Sequence, residues 1–375
     1  MKVYIGIDAH TTNYTLATWT EGSSEAIFVD TYPPLVSNIV KYCESLKKKL
    51  GDDIEILAGY EAGCLGFTLQ RDLEKEKIHC LVLAPNSIVG TEINRRNRKK
   101  TDKRDAIAIG KALRNEDYKS VRVPDQEDEA VRDFIRMRED HRRYLKANKQ
   151  QIVAFCHRHG HYFTEGSNYW TQKHMKWLKS LPLTGYLKET LEGYLLTYEQ
   201  LTEKIASLDH RIEEIAAQDK YSERVHNLTC LKGVKTVTAL AVVSEIGDFN
   251  RFPKAKSFSA FLGLVVGQLD SSTDKSHLGI SKQGNTFVRR LLVESAQSFS
   301  KAVPGKSAAL KKRQEGCSEE VIAYADKANE RLRKRYHRLV LHNNKCSNKA
   351  KVAVARELAC FMWGMMTGNM HTVLA

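Results

Sequence analysis

Three observations predict an α/β domain with a mixed sheet, followed by two mostly helical regions. Residues 1–124 alternate short β-branched or aromatic runs with segments of helical period. Residues 125–220 are charged and nearly lack Gly and Pro outside "HGHYFTEGSNYW" and "LPLTG". From 221 onward a Gly turn introduces apolar helical stretches and a charged helical tail.

In order along the chain, "VYIGID", "YTLATWT" and "EAIFVD" read as strands at 3–8, 14–19 and 25–29, separated by polar turns. "LVSNIVKYCESLKKKL" (35–50) carries helical periodicity. "IEILAGYEAG" reads as a buried strand ending on an acid, "GFTLQRDLEKEK" as a helix, "IHCLVLAP" as a strand and "DKRDAIAIGKALRN" as a helix. Three strands followed by helix–strand alternation make a mixed sheet. In 125–220 two long helices are expected, "EDEAVRDFIRMREDHRRYLKANKQQIVAFCHRH" and "YLKETLEGYLLTYEQLTEKIASLDHRIEEIAA". Helices so long and polar bury too little alone, so antiparallel or intermolecular coiled-coil packing is expected. The remainder, 221–375, reads as a compact, mostly helical domain. In it "DSSTDKS" has the composition of a polar loop.

The chain has 375 residues and a formal net charge of +14, so a polyanionic partner, nucleic acid above all, is the first expectation. No apolar run approaches the ~18 residues of a membrane span, and the first residues pattern as a strand rather than a leader peptide. The eight cysteines are scattered and never form C-x-x-C. That argues against a disulfide framework or zinc site and fits a reducing cytoplasm.

Acids sit at element ends in the first domain. Asp8 ends the first strand and Glu61 the fourth. Asp102 and Asp105, three apart in "KKTDKRDA", share one face at a helix start. Taken singly each has a plain role: strand-end polarity, or a first-turn acid favoured by the helix dipole. Together they can converge, as phosphoryl transfer with divalent ions requires. Four acids without His or Cys ligands suit Mg²⁺, a hard ion that keeps several waters, better than zinc. The run "NRRNRKKTDKR" adds Arg95, Arg96, Arg98, Lys99, Lys100, Lys103 and Arg104, suited to a phosphate backbone and carrying no base-specific readout. "RMREDHRRYLK" and "RLRKRYHR" add basic helical faces. "CHRHGH" lacks a second ligand group at matching spacing and reads as surface structure.

"GIDAH", "YEAG" and "KTDKRDA" resemble the DEDD tetrad of the bacterial insertion-sequence transposases of the group numbered 110. That group includes Piv-type DNA invertases and bridge-RNA-guided recombinases. The matching positions are Asp8, Glu61, Asp102 and Asp105. "GVKTVTALAVVSEIGDFNRFPKAKSFSAFLGL" followed by "LGISKQGNTFVRRLLVESA" is similar to the family's C-terminal transposase domain, so the resemblance covers residues 3 to about 300. It implies an RNase H-like fold, similar to the RuvC junction resolvase, for 1–124. It implies a coiled-coil linker for 125–220 and a serine-bearing domain for 221–375. It also implies a serine nucleophile between the "GL" and "GISK-x-G-N" blocks that forms a phosphoserine link. Ser271 aligns best and Ser272 is the alternate; this chain has "DSST" there, without the family's usual Gly, and Val266 where Pro is common. Lys282, Arg289 and Arg290 flank that stretch and could hold the scissile phosphate. The cofactor implied is Mg²⁺, two ions possible, with Mn²⁺ as a substitute. The partners implied are double-stranded DNA, a structured bridge RNA and further copies of the chain, as dimer or tetramer, near the bacterial nucleoid and off the membrane. Two other readings stay open: a junction-type nuclease that uses the acids and water with no serine step, and a nucleic-acid-binding protein without catalysis.

Overall fold

The structure, a computed structural model, describes residues 1–88, 101–271, 274–300 and 305–374. It divides into two compact units, Met1–Pro124 and Asp125–Ala375.

In the first unit, β1 (Lys2–Ala9), β2 (Tyr14–Thr20) and β3 (Phe28–Tyr32) form an antiparallel meander. Next come α1 (Val36–Leu50), β4 (Glu55–Glu61), α2 (Thr68–Lys75), β5 (His79–Leu83) and α3 (Asp102–Arg114). The sheet order is β3-β2-β1-β4-β5, with β1, β4 and β5 parallel. The third strand lies later than alternation in "EAIFVD" suggests. Its partner sets it: Tyr14–Thr18 of β2 pair with residues from Tyr32 back to Phe28, carrying the edge strand through the polar Asp30 and Thr31. An edge strand tolerates such residues because one side faces water.

The central strands are buried on both faces. Val3, Ile5 and Ile7 of β1 pack with Ile39, Tyr42 and Leu46 of α1 and with Leu69 and Leu73 of α2. On the opposite face Tyr4 packs with Ile109, Ala112 and Leu113 of α3. Gly6 is the contact point for α3. A Cβ there would lie 2.2 Å from both Ala106 O and Gly110 N. Gly110 in turn leaves room for Trp19, whose ring a Cβ would meet at 2.6 Å. Backbone therefore lies against backbone, and α3 cannot move off without opening a void.

The second unit starts with α4 (Gln126–Arg158), capped by the Asp125 carboxylate, which accepts from Asp128 N at 2.7 Å. After α5 (Gln172–Lys179), α6 (Gly185–Ala216) returns antiparallel to α4: Arg138 pairs with Asp209 at 2.6 Å, and the rings of Phe155 and Tyr194 meet. The pair is apolar at both ends, Val131 and Ile135 with Ile212 and Ile215 at one, Ile152 and Phe155 with Leu191 and Leu195 at the other. Then come α7 (Ser222–Thr229), α8 (Thr236–Ile246), α9 (Ala255–Phe261), β6 (Val266–Ser271), β7 (Asp274–Ile280) and α10 (Thr286–Ala296). The tail holds α11 (Ala308–Gln314), α12 (Glu319–His337), α13 (Ser347–Thr367) and α14 (Met370–Leu374). α8, buried along Ala239–Ile246, and α13 run through one large core. Five residues of the polar stretch expected as a loop, Asp270, Ser271, Asp274, Lys275 and Ser276, lie instead within the paired strands of an antiparallel hairpin of β6 and β7. All eight cysteines are free.

Gly6→Ala should destabilise the first unit by about 1–3 kcal/mol or more, the usual cost of overpacking, because only backbone is available to yield. Urea unfolding of the full chain measures it; an unchanged midpoint would mean that α3 is not seated as described.

Candidate metal centre and serine-bearing hairpin

Alternation along β1 fixes where Asp8 points. Tyr4 and Gly6 face α3, so Asp8, two residues on, belongs to the same face. β4 follows the same rule. Ala58 and Tyr60 enter the core beneath α1, whereas a Cβ on Gly59 would touch Leu113 of α3 at 3.1 Å. Glu61 therefore also belongs to the α3 face. The parallel register runs through Ile7↔Tyr60, which sets Asp8 and Glu61 on neighbouring strand ends. The Gly6 contact holds Ala106–Gly110 over β1, so the first turn of α3, with Asp102 and Asp105, lies toward Asp8.

His10 completes this end of the sheet. Its Nε2 lies 3.1 Å from Asp8 Oδ2 and 3.7 Å from Asp102 Oδ1. Asp8, His10 and Asp102 each offer a ligand atom, and these atoms all lie within 4.8 Å of one another. The turn from β1 to β2 carries the ring: His10 N donates to Asn13 O at 2.9 Å, and Asn13 Nδ2 donates to Asp102 Oδ2 at 3.4 Å. Asp8 is the buried member, its side chain 15% exposed against 44% for His10 and 49% for Asp102. Burial pushes the Asp8 carboxyl above its ordinary range; His10 opposes this, while the charges of Asp105 and Asp102 add to it.

This donor set fits a divalent cation. Carboxylate oxygens dominate it, one lies deep, and the rest open to solvent, where a hard ion can keep waters. A cation would relieve the repulsion that burial and neighbouring acids impose on Asp8. His10 closes the "GIDAH" stretch but is not one of the four matching acids; its signal is its position two residues beyond the strand-end acid.

Of the basic run, Arg95, Arg96, Arg98, Lys99 and Lys100 lie outside the described residues. Lys103 and Arg104 are exposed on the first turn of α3.

In the second unit, Ser271 ends β6, its backbone paired with Asp274 of β7. Ser272 lies outside the described residues. The "KQGN" segment after the hairpin is anchored firmly. Gly284, at φ +73°, lies so close to Phe261 O that any Cβ would collide with it. Asn285 caps α10, its side chain accepting from Val288 N at 2.9 Å, while its Nδ2 donates to the buried Glu245 Oε2 at 2.9 Å. Arg136 of α4 closes on the other oxygen of Glu245 at 2.7 Å. Lys282 is exposed, at φ +57°. The Arg289 guanidinium donates to Leu262 O at 2.8 Å and Gln283 O at 2.9 Å, and so braces the loop. Arg290 pairs with Glu139 and Glu294, each at 2.8 Å. Glu139 would be raised by burial alone, but Arg290, Arg142 and Arg138 hold it below the ordinary carboxylate range.

Asp8→Asn should stabilise the metal-free protein at neutral pH. In the folded chain the Asp8 carboxyl binds its proton more tightly than in the unfolded one, so stability falls as pH rises past the unfolded value of about 3.9 and the cost persists above the folded value. The melting temperature of the variant in chelator should exceed that of the parent at pH 7, and the two should converge near pH 3. A variant less stable at pH 7 would count against a strained acidic cluster.

Residues 5–158 match the family model of the DEDD transposases of the IS110 type, described as "Transposase". Residues 225–311 match the model described as "Transposase IS116/IS110/IS902 family". The transposase for insertion sequence element IS1533 of Leptospira borgpetersenii is 31% identical over 350 residues, covering 90% of this chain and 96% of that protein. The putative transposase y4qE of Sinorhizobium fredii is 32% identical over 306 residues, 82% of this chain and 74% of that protein. The transposase for element IS1111A of Coxiella burnetii is 26% identical over 270 residues, 72% of this chain and 67% of that protein. The two matched segments contain the four acids and the hairpin respectively, and the chain belongs to the IS116/IS110/IS902 family of transposases, enzymes that cut and rejoin DNA.

Proposed function

We propose that this transposase transfers DNA strands through a divalent-ion site built on Asp8, Glu61, Asp102 and Asp105 and a phosphoserine link to Ser271, with Ser272 the alternate nucleophile. One observation carries the metal half. Two neighbouring strand ends and one helix start carry acids on the α3 side of the sheet, and Asp8, with Asp102 beside it, is held above its ordinary pKa range. Acids so placed repel phosphate unless a cation bridges them. The sheet order, an antiparallel meander continued by parallel strands, supports an RNase H-like, RuvC-like fold for 1–124. The antiparallel α4–α6 pair supports a coiled-coil linker for 125–220, leaving 221–375 as the serine domain.

In the first step the serine hydroxyl oxygen attacks the scissile phosphorus. The serine proton passes to a nearby base or water, the bond to one sugar oxygen breaks, and that oxygen takes a proton from solvent to leave as a hydroxyl. In the second step a sugar hydroxyl of the recipient strand attacks the phosphoserine and releases the serine. A bound divalent ion supplies Lewis-acid polarisation of the phosphoryl oxygens and lowers the pKa of an oxygen nucleophile. Asp8, Glu61, Asp102 and Asp105 would hold Mg²⁺, and the exposed Lys103 and Arg104 would bring phosphate toward it. The serine can be served by acids of its own chain or of another copy in a dimer or tetramer. Bridge-RNA guidance and work on nucleoid DNA in the bacterial cytoplasm complete the reading. RNA copurifying with the protein, sequenced and then omitted from a recombination assay, tests the guide.

DNA binding has a candidate surface in the tail. Lys327, Arg331, Lys334, Arg335 and Arg338 line a cavity of about 440 Å³ on α12, opposed by Glu330 and Glu357. Ion pairs occupy part of this charge, Arg331 with Glu357 at 2.6 Å and Lys334 with Glu330 at 2.7 Å, and leave a cationic excess.

Chelation, or Asp102→Ala, should abolish strand exchange, and exchange surviving either would sink the metal reading. A covalent protein–DNA adduct should be trapped with the parent chain and disappear in Ser271→Ala or Ser272→Ala; cleavage without any adduct would favour the nuclease reading. The pair Lys327→Glu and Arg338→Glu should weaken DNA binding uniformly across sequences, reducing the salt slope by about 0.9 for each phosphate no longer neutralised. An unchanged slope would remove the tail from the DNA surface.

A further inference from the structure

We infer that His10 is itself a ligand of the metal centre, and that its imidazole tilts the centre's choice toward Mn²⁺ over Mg²⁺. This rests on the proposed reading of Asp8 and Asp102 as ligands.

The spacing of the donor atoms is close to that of a coordination shell. His10 Nε2 and Asp8 Oδ2 are 3.1 Å apart. Ligand atoms at adjacent corners of an octahedron, with bonds of about 2.1 Å, stand about 3.0 Å apart, so the pair already has the separation of two adjacent ligands. The 3.7 Å from Nε2 to Asp102 Oδ1 is wider, and a modest turn of the more exposed Asp102 side chain would close it. The backbone that carries the ring is tied in the β1–β2 turn, where His10 N donates to Asn13 O. The same Asn13 steadies Asp102. Nε2 is the ring atom that faces the acids, and Nδ1 can carry the proton of the neutral tautomer.

The chemistry follows from the donor set. Mg²⁺ binds almost entirely through oxygen, whereas imidazole nitrogen suits transition ions better. A purely carboxylate centre would treat Mg²⁺ and Mn²⁺ more evenly. One imidazole placed beside two carboxylates favours Mn²⁺ while still admitting Mg²⁺ through the oxygens.

The competing account makes His10 a counter-ion, its protonated ring neutralising Asp8 and Asp102 when no ion is bound. In that account an incoming cation displaces the ring's charge, and removing the ring strengthens binding of both ions alike. The two accounts predict opposite signs.

The test uses the full chain, parent and His10→Ala, with Asp102→Asn as the reference variant and thermal melts confirming that each is folded. Mn²⁺ is titrated by its electron paramagnetic resonance signal, and Mg²⁺ by competition against it. Expected is a roughly 10- to 100-fold loss of Mn²⁺ affinity in His10→Ala with a smaller loss for Mg²⁺, by analogy with removal of a site-shaping group, so that the Mn²⁺:Mg²⁺ ratio falls. Nitrogen hyperfine coupling to bound Mn²⁺ should appear in the parent, change on ¹⁵N-histidine labelling, and vanish in His10→Ala. An unchanged ratio, a rise for both ions, or no nitrogen coupling would overturn the inference. If Asp102→Asn weakens both ions in that case, the centre stands and only His10 falls. Binding of neither ion to the parent would overturn the metal reading and this inference with it.

Discussion

The first unit depends on one contact, the laying of α3 against β1 with no side chain between them. Gly6 and Gly110 allow backbone to meet backbone, and Tyr4, Trp19, Ile109 and Leu113 seal the contact around them. The seating is both close and polar at its margin. Apolar burial fixes the helix along its length, and that rigidity delivers two acids to the end of a strand that already carries one. Charges of one sign would drift apart on a looser scaffold. Here packing holds them in place, and burial above all, with the charges of Asp105 and Asp102 adding to it, raises the Asp8 carboxyl. An anionic cluster maintained by core packing, with His10 and Asn13 as the polar bracket, is the preorganisation that the proposed cation site would need.

The second unit solves its own positioning problem with charge. Glu245 is buried on a mostly apolar helix, a costly placement unless fully paired. Arg136 from α4 and Asn285 from the start of α10 provide the pairing. Three elements distant in sequence are thereby tied at one carboxylate, and the loop that follows the β6–β7 hairpin is pinned at Gly284 and Asn285. Arg289 and Arg290 belong to the same framework: one braces the loop backbone, the other reaches Glu139 on α4. Their engagement in internal bonds makes them part of the scaffold, while Lys282 beside them faces solvent.

Much of this is readable in sequence because it is periodic. α1, α3, α4 and α6 follow apolar stripes with few breakers, and β1, β2 and β4 follow β-branched runs, so periodicity finds each of them. β3 escapes because its position is dictated by pairing with β2 rather than by its own alternation. The hairpin escapes because "DSSTDKS" is polar enough to be a loop, and what makes strands of its flanks is the pairing of β6 with β7. The four acids emerge from motif spacing, yet only the alternation of Gly6 with Asp8, and of Gly59 with Glu61, explains why they share a face. A lone histidine in a turn has no periodic signature, and the meaning of His10 comes from its meeting both Asp8, two residues before it, and Asp102, 92 positions along the chain.

These two modes of construction bear on chemistry in different ways. A cation site made of repelling acids is worth least to the metal-free protein and most when phosphate and ion arrive together, because each then screens the other. Folding the site against a glycine seat moves its cost into the stable core, where apolar burial offsets it. The hairpin is held differently. Its strands end on Ser271 and resume at Asp274, and its base is fixed by Glu245 and Gly284. Ligand geometry is the stricter demand, since tenths of an ångström decide whether three ligand atoms could serve one cation, and the close seating of α3 on β1 meets it with backbone packed on backbone. The loop after the hairpin is tied instead by a buried carboxylate and a glycine contact, so polar pairing does for the second unit what apolar seating does for the first.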